Sequence, residues 1–376
     1  MTSAKNIVFL TISIVTAVIL IASIAVYVFF PGGNFLFTGE VPANRLTGSQ
    51  ISGFISSVRQ NYFSQYSDLN EIFFPGGKGY ELKNNTSNKL IIYLGGFSWG
   101  SAIENRWSGK LIDVLLYAKE LTGSYTFFIP EKFNREIGAL YGLDTEERRR
   151  YTISNLIENY YEVITGYLSL NNFESIIIYG ASEGAFILPV LYTRLNNNNI
   201  TALISDSGGG GLSYYEQQEI LFAKLLKNEK SFSSLSLSRD DRLNQQHYYD
   251  TWLKTFPAAH TALAVHAALA AHTALAAHTA DPADFFLGSP VTYGWFSSIT
   301  QLRLLDHYEK INIPMLFIHG NMDTTVPVET AQFIKNNFPH KPFDFYFYPE
   351  MTHLQIKQQE YIPQEDIIKW ILRMDT

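Results

Sequence analysis

The sequence contains no cysteine, and this absence excludes disulfide bonds, thiolate zinc sites and a cysteine nucleophile. Basic residues are neither in excess nor clustered, because 28 Lys and Arg stand against 35 Asp and Glu and the net charge is -7. A nucleic-acid-binding surface is therefore not expected. Apolar side chains are abundant instead. Of the 376 residues, 46% are hydrophobic and 15% are aromatic, which favours a large folded core over disorder.

Residues 7–30 carry no charged side chain, and Lys5 precedes them. A helix needs about 20 apolar residues to cross a bilayer, whereas a cleavable signal has an apolar region of about 7–15 residues and a small-residue cleavage site. This run ends in Val-Tyr-Val-Phe-Phe-Pro without an Ala-x-Ala pattern. We predict a retained transmembrane signal anchor over 1–30, with cleavage as the alternative, followed by a linker over 31–47. The weak charge bias favours a single-pass membrane protein with its remaining residues on the exported side.

Strand and helix patterns alternate beyond the linker. Short apolar runs predict strands at 89–94, 125–130, 175–179, 201–205, 314–319 and 344–348. Helical spacing predicts helices at 102–121, 146–168 and 183–195, and after each of the last two strands. The strands are continuous apolar runs, which is typical of strands buried on both faces of a mostly parallel sheet. The expected fold class is α/β, with helices flanking this sheet.

Residues 209–300 interrupt the alternation, and we interpret them as an insertion between two parts of one core, 48–208 and 301–376. Inside the insertion, residues 258–280 form an alanine-rich repeat with a histidine at every sixth position, namely His260, His266, His272 and His278. A step of six residues turns a helix by about 240°, so these histidines do not share the helix face that a metal pair needs. We expect a low-complexity surface insertion, with metal binding as the alternative.

The stretch Gly180-Ala-Ser182-Glu-Gly184 joins a predicted strand to a predicted helix. A strand that presents a nucleophile must turn sharply into a helix, and the residues two before and two after the nucleophile must be small. Gly-x-Ser-x-Gly alone is a weak signal, but the strand and helix around it supply the required setting. We predict that Ser182 is a nucleophile; the alternative is a serine in an ordinary turn.

A serine nucleophile needs a base, and the base needs an acid that orients it. Asp323 and His353 each follow a predicted strand, so both would lie with Ser182 at the carboxyl edge of the sheet. We predict His353 as the base and Asp323 as the acid, and Asp206, at the end of the preceding strand, is the alternative acid. The other histidines outside the repeat are expected in helices (His247, His307), in a buried structural position (His319) and in an exposed turn (His340).

The negative charge of a tetrahedral intermediate requires preorganised N–H donors. One predicted donor is the backbone N–H of Glu183, which follows the nucleophile. The second comes from the glycine loop after the strand at 89–94, where we predict the N–H of Phe97, with Gly96 as the next choice. A glycine turn that only reverses the chain is the alternative.

These motifs resemble the α/β-hydrolase superfamily, in its branch of serine esterases and serine-aminopeptidase-like proteins. The resemblance covers roughly residues 70–376 and rests on Gly95-Gly96-Phe97, Gly180-Ala-Ser182-Glu-Gly184, Gly320-Asn-Met-Asp323-Thr-Thr-Val-Pro327 and His353. It implies acyl-serine chemistry with no metal and no cofactor, and it implies that residues 209–300 carry the cap. Two features depart from the family pattern: Gly95 stands where histidine is common, and the cap region is poorly patterned.

The first functional hypothesis is a membrane-anchored carboxylic-ester hydrolase with a small-molecule or peptide acyl substrate. The insertion is rich in aromatic residues that would line an apolar pocket or simply pack the cap: Tyr214, Tyr215, Tyr248, Tyr249, Trp252, Phe285, Phe286, Tyr293, Trp295 and Phe296. A serine peptidase or aminopeptidase with the same mechanism is the second hypothesis, and a non-catalytic binding domain of the same fold is the third.

Overall fold

The computed structural model describes residues 69–97, 101–102, 118–133, 145–226, 292–300, 302–353, 356–357, 360–361 and 364–374. Within these ranges, no helix combines the length and the apolar character that a bilayer crossing demands. The predicted anchor at 1–30, the linker at 31–47 and the repeat at 258–280 lie outside the described residues. The domain boundaries therefore stay predictions.

The described core is built on an eight-stranded sheet with the order β1-β2-β4-β3-β5-β6-β7-β8. Its strands are β1 (Asn70–Phe74), β2 (Gly77–Leu82), β3 (Lys89–Leu94), β4 (Thr126–Pro130), β5 (Ser175–Ala181), β6 (Ile200–Asp206), β7 (Met315–Gly320) and β8 (Phe343–Tyr348). Strand β2 is antiparallel to β1 and β4, while neighbours from β4 to β8 are parallel. The sheet is therefore mostly parallel, as predicted.

The described helices cover both faces of this sheet. They are α1 (Lys119–Thr122), α2 (Thr145–Arg150), α3 (Ile153–Leu170), α4 (Glu183–Leu195), α5 (Tyr214–Leu226), α6 (Tyr293–Thr300), α7 (Leu304–Tyr308), α8 (Glu329–Asn337) and α9 (Gln364–Arg373). A short hairpin of β9 (Ile356–Lys357) and β10 (Glu360–Tyr361) follows β8.

Alternate residues of the central strands pack into two separate hydrophobic cores, one on each face of the sheet. On one face, Leu90 and Ile178 pack with residues of α3, α4, α6, α7 and α8. On the other face, Ile91 and Ile177 pack with residues of α1 and α9, including Trp370. Because both faces are buried, the strands need apolar side chains at every position, which explains the continuous apolar runs of the sequence.

The sequence predicted one long helix at 146–168, but the chain forms α2 and α3 with a break at Tyr151 and Thr152. Thr152 is extended, and its side chain accepts a hydrogen bond from the Asn155 N–H, so it caps a new helix. Tyr151 between the two helices is fully buried. The prediction missed this break because residues 146–150 are good helix formers and neither Gly nor Pro separates them from Ile153.

The hairpin of β1 and β2 was also absent from the sequence prediction. Strand β2 reads Gly-Lys-Gly-Tyr-Glu-Leu, which lacks a continuous apolar run. Its polar side chains are satisfied locally, since the Lys78 ammonium pairs with Glu71 at 2.9 Å and Glu81 accepts a hydrogen bond from the Tyr167 hydroxyl. Charged residues with such partners can occupy a strand that composition alone does not indicate.

Candidate active site

Ser182 lies between strand β5 and helix α4 in a sharp turn. Its φ and ψ angles are 52° and −113°, an unusual conformation for a residue other than glycine. The two glycines around it make this turn possible. A Cβ atom on Gly180 would lie 2.7 Å from the Ala185 Cα, and one on Gly184 would lie 2.7 Å from the Leu94 carbonyl carbon. The turn therefore has the sharp bend and the small neighbours that the motif predicted, and its φ lies in the left-handed range.

Ser182, His353 and Asp323 form a continuous chain of hydrogen-bonding atoms. The Ser182 Oγ lies 3.0 Å from His353 Nε2, and His353 Nδ1 lies 2.8 Å from Asp323 Oδ2. Asp323 follows β7 and His353 follows β8, so parallel strands bring both to the edge where β5 delivers Ser182. The Asp323 side chain is fully buried, whereas 22% of the His353 side chain is exposed.

The surroundings of Asp323 fix the protonation of His353. The other carboxylate oxygen, Oδ1, accepts hydrogen bonds from the backbone N–H groups of Thr325 and Val326 at 2.7 and 2.8 Å. A carboxylate only accepts, so His353 Nδ1 carries the proton that faces it. His353 Nε2 is then unprotonated in the neutral ring and can accept the Ser182 hydroxyl proton.

The same contacts move the pKa values of both groups. Burial raises the pKa of the Asp323 carboxyl, but attraction to His353 and hydrogen bonds from His319 and His353 outweigh it and hold that pKa well below its usual range. Burial lowers the pKa of His353, but the charge of Asp323, its hydrogen bond and the charge of Asp206 outweigh it and raise that pKa. The pair is therefore held as carboxylate and basic imidazole.

Asp206, the alternative acid, is buried at the end of β6 and has other partners. Its carboxylate accepts hydrogen bonds from the Tyr179 hydroxyl at 2.6 Å and the Ser207 hydroxyl at 2.8 Å. His353 Nδ1 is directed at Asp323 instead. The geometry therefore favours Asp323 as the orienting acid, and Asp206 adds negative charge nearby.

The remaining histidines lie where the sequence suggested, as far as the structure describes them. His319 is buried, and its Nε2 donates to the Val326 carbonyl at 2.8 Å while lying 3.5 Å from Asp323 Oδ2. His307 lies in α7 and contacts the Thr193 hydroxyl, and His340 is exposed. His247 lies outside the described residues.

The predicted oxyanion donors lie on two segments next to Ser182. Glu183 begins α4, and the first N–H groups of a helix have no partner inside it. Gly96 approaches from the end of β3, since a Cβ atom on it would lie 3.1 Å from the Ser182 Cβ and 3.6 Å from the Oγ. Phe97 follows Gly96 directly. The roles of Phe97, Glu183 and Gly96 as donors stay a prediction.

A buried polar network that the sequence did not predict adjoins this site. The Glu183 carboxylate accepts hydrogen bonds from the Lys132 ammonium at 2.7 Å, the Tyr151 hydroxyl at 2.8 Å and the Trp295 indole N–H at 2.7 Å. Lys132 also donates to the Gly96 carbonyl at 2.6 Å. One signal was present: Glu131-Lys132 is a charged pair directly after a buried strand, at the sheet edge that carries the site.

Aromatic rings surround the same network. The Phe97 ring lies 5.5 Å from the Tyr151 ring and 6.0 Å from the Trp295 ring, both edge-on. Tyr214 contacts Trp295 and Phe296 in the same edge-on manner. Of the predicted cap aromatics, Trp295 and Phe296 are buried in the core and Tyr214 packs against it, while most of the others lie outside the described residues. Within the described ranges, no group of three or more His, Asp or Glu side chains could hold a metal ion.

Comparison with known proteins gives similar structures only. No protein family and no curated protein matches the sequence. Est1E from Butyrivibrio proteoclasticus is 15% identical, with 82% of this chain and 99% of that chain covered and a TM-score of 0.48. The Pyrococcus furiosus esterase Pf2001 is 17% identical, with 83% and 93% covered and a TM-score of 0.49. The acylaminoacyl peptidase of Pyrococcus horikoshii is 13% identical, with 84% and 42% covered and a TM-score of 0.46.

Such distant likenesses say nothing about activity, and the fold is established by the chain's own topology. The sheet places an antiparallel β2 beside β4 and runs in parallel from β4 to β8. The strand β5 passes through a strained serine into a helix, and the acid and the histidine follow in that order after later strands. This chain therefore has the α/β-hydrolase fold.

Proposed function

We propose that this protein is a serine hydrolase that cleaves a carboxylic ester through an acyl-serine intermediate. The observation that carries the proposal is the hydrogen-bonded chain from Ser182 Oγ to His353 Nε2 at 3.0 Å and from His353 Nδ1 to Asp323 Oδ2 at 2.8 Å. A serine hydroxyl is a weak nucleophile by itself, and this arrangement supplies the base that activates it.

In the first half of the reaction, Ser182 Oγ attacks the substrate carbonyl carbon while its proton moves to His353 Nε2. The imidazolium that forms is stabilised by the Asp323 carboxylate, which stays ionised. The negative charge on the former carbonyl oxygen is placed against the N–H groups of Glu183 and Phe97. Collapse of this intermediate breaks the ester C–O bond, and the leaving alkoxide takes the proton from His353 Nε2.

In the second half, water replaces the leaving alcohol. His353 Nε2 accepts a proton from the water as its oxygen attacks the acyl carbon, and the same oxyanion donors hold the new intermediate. When the bond between Ser182 Oγ and the acyl carbon breaks, Oγ recovers its proton from His353. The products are a carboxylic acid and the free enzyme, so the cycle uses the side chains and backbone N–H groups already named together with water.

The surroundings of the site support an apolar acyl or aromatic group rather than a highly charged one. Phe97, which follows the loop segment beside Ser182, belongs to the ring cluster of Tyr151 and Trp295. Ligand pockets are lined mainly by apolar and aromatic side chains with a few polar groups that fix orientation. This supports an ester with an apolar acyl chain as the first substrate class to test.

The test uses the full-length chain in detergent with a fluorophosphonate probe, p-nitrophenyl esters and aminoacyl p-nitroanilides. We expect the probe to label wild type but not Ser182→Ala, and we expect ester hydrolysis that depends on Ser182. Hydrolysis of the anilides without that of the esters indicates a peptidase. Absence of both labelling and turnover in folded wild-type protein indicates a non-catalytic binding domain and contradicts the proposal.

Membrane attachment is a further part of this proposal, and it rests on the uncharged run at 7–30 after Lys5. The hydrolase part would then lie on the exported side of a single-pass membrane protein. Fractionation of cells that express the chain with and without residues 1–30 tests this attachment. The full chain should remain with the membranes after a high-salt wash, and recovery in the soluble fraction at a mass lacking the segment indicates cleavage instead.

A further inference from the structure

The network beside Ser182 is centred on an ion pair between Lys132 and Glu183. The two charged groups are 2.7 Å apart, and their side chains are only 1% and 2% exposed. Burying two charges removes them from water at a cost that attraction between them often only just offsets. In other proteins, apolar residues of similar volume often replace such a pair with no loss of stability, so a buried ion pair by itself is weak evidence for a stabilising role.

The ion pair contacts both segments that lie beside Ser182. Lys132 Nζ donates to the Gly96 carbonyl at 2.6 Å, on the loop after β3. Glu183 directly follows Ser182, and its side chain accepts from Lys132, Tyr151 and Trp295. The ion pair therefore links the glycine loop after β3 to the first residue of helix α4.

The orientation of one predicted oxyanion donor follows from the contact with Gly96. The Gly96 carbonyl and the Phe97 N–H belong to the same peptide group, and they point in opposite directions because no peptide bond among the described residues is cis. When Lys132 holds this carbonyl, it also fixes the direction of the Phe97 N–H. The Phe97 ring, packed against Tyr151 and Trp295, restrains the same peptide from its other end.

The backbone at Lys132 is itself held in place by neighbouring side chains. Its N–H donates to the Glu131 carboxylate at 2.8 Å, and the same carboxylate accepts from the Ala102 N–H at 2.9 Å. The next residue, Phe133, has a φ angle of 52°, and its N–H donates to Asn159 Oδ1 at 2.9 Å. A lysine whose backbone is anchored on both sides of its Cα can fix the position of its ammonium group.

We propose that Lys132 and Glu183 are positioning residues that orient the two oxyanion peptides, and that Trp295 ties them to helix α6 at the end of the insertion. This inference rests on the proposed function, because it assigns the pair a role in the turnover at Ser182. The pair stabilises the transition state indirectly: it holds the Phe97 and Glu183 N–H groups in place before the substrate arrives, which avoids reorganisation during the reaction.

The test compares Lys132→Met, Glu183→Gln and the double variant with wild type, using kcat and KM for a p-nitrophenyl ester and the melting temperature. Glu183→Gln keeps the backbone N–H, so the donor itself is not removed. Each single variant leaves one buried charge without its partner and should lower the melting temperature. The double variant removes both charges, so that penalty disappears.

We expect the double variant to melt within about 5 °C of wild type. Its kcat should nevertheless stay about 10- to 100-fold below wild type, because a donor that is displaced by a fraction of an ångström loses much of its effect. KM should change less than about threefold, because the substrate ground state does not carry the oxyanion charge. Recovery of kcat together with the melting temperature would show a purely structural ion pair and overturn the proposal.

Lys78→Met is the matched control, because Lys78 is also a buried lysine with an ion-pair partner, Glu71 at 2.9 Å, but lies on β2. Its kcat should stay within about twofold of wild type, as expected for an ion pair whose acidic partner lies on β1 and not beside Ser182. An equal loss in this control would show that removal of any buried lysine lowers kcat, and it would overturn the assignment.

Two further measurements keep the outcome clear. If the double variant does not fold, Tyr151→Phe takes its place, because it removes one hydrogen bond to Glu183 and keeps the ring against Phe97. It should lower kcat about 3- to 10-fold, and an unchanged kcat contradicts the proposal.

Fluorophosphonate labelling of Ser182 in wild type tests the proposed function separately. A labelled, active wild type with an equally active double variant refutes only the positioning role, whereas an unlabelled, inactive wild type refutes the proposed function.

Discussion

The substitution Asp323→Asn tests the roles assigned to His353 and Asp323. It keeps the size and shape of the side chain but changes which nitrogen of His353 carries the proton. Asparagine can keep its carbonyl oxygen on the Thr325 and Val326 N–H groups, which now bond to Asp323 Oδ1 at 2.7 and 2.8 Å. Its NH₂ group then occupies the position of Oδ2, 2.8 Å from His353 Nδ1. A donor in that position requires an unprotonated Nδ1, so the proton moves to Nε2, opposite Ser182.

The wrong tautomer removes the base from the nucleophile. We expect kcat to fall by about 10,000-fold, which corresponds to ~5.5 kcal/mol of transition-state free energy. The loss of a buried charge-assisted hydrogen bond should lower the free energy of unfolding by only about 1–3 kcal/mol. The activity loss should therefore far exceed any effect of partial unfolding at 25 °C, which circular dichroism of the same samples checks.

The pH profile supplies a second readout. Neutral His353 is the active base, so kcat/KM in wild type should fall as the pH drops through a pKa that lies above the ordinary histidine value, because Asp323 raises it. In Asp323→Asn the carboxylate is gone, the pKa of His353 falls, and the acid limb of the remaining activity should move to lower pH. The substitution Asp206→Asn tests the alternative acid, and its kcat should fall less than about tenfold. Two results would refute the assignment of Asp323: a kcat of Asp323→Asn within tenfold of wild type, or a larger loss of kcat in Asp206→Asn than in Asp323→Asn.

Four further results are expected. Ser182→Ala should fold with an unchanged circular dichroism spectrum and lose turnover, and activity within about tenfold of wild type would count against this serine. Gly184→Ala should lower the free energy of unfolding in urea by about 1–3 kcal/mol, because its Cβ would lie 2.7 Å from the Leu94 carbonyl carbon; an unchanged midpoint contradicts that contact. The free energy of unfolding of wild type should fall as the pH drops below about 4. In that range Asp323 binds a proton in the unfolded chain, but its lowered pKa keeps it ionised in the folded protein. In Asp323→Asn, the free energy of unfolding should depend less steeply on pH. Deletion of residues 258–280 should leave ester hydrolysis intact, whereas a metal-dependent loss would favour the metal-binding alternative.

The sequence predicted those parts of the fold that follow from uninterrupted local patterns. Strand β3 and helix α4 have the predicted bounds, and the other predicted strands differ by one or two residues. These segments are buried on both faces or lie directly after the Ser182 turn. Nearly every side chain in them therefore favours the same secondary structure. The meeting of Ser182, Asp323 and His353 could be predicted because all three follow parallel strands, whose carboxyl ends lie at one edge.

The features that were missed depend on single contacts between distant residues. Lys132, Tyr151 and Trp295 meet at Glu183 from separate elements, and none of them stands in a repeating pattern. The break between α2 and α3 is decided by the Thr152 cap and by the burial of Tyr151, whereas helix propensity continues through the charged residues before it. Tertiary contacts of this kind override local propensity, which is a weak guide at helix ends.

The distribution of the three site residues over β5, β7 and β8 has a consequence for refolding studies. His353 follows the last strand of the large sheet and lies 171 positions beyond Ser182, so its contact closes only after both late strands have joined. Contacts between such distant positions form slowly because a long loop must be closed first. Regain of catalytic turnover after dilution from denaturant should therefore lag behind regain of helical ellipticity, which makes enzymatic activity a reporter of the final assembly step.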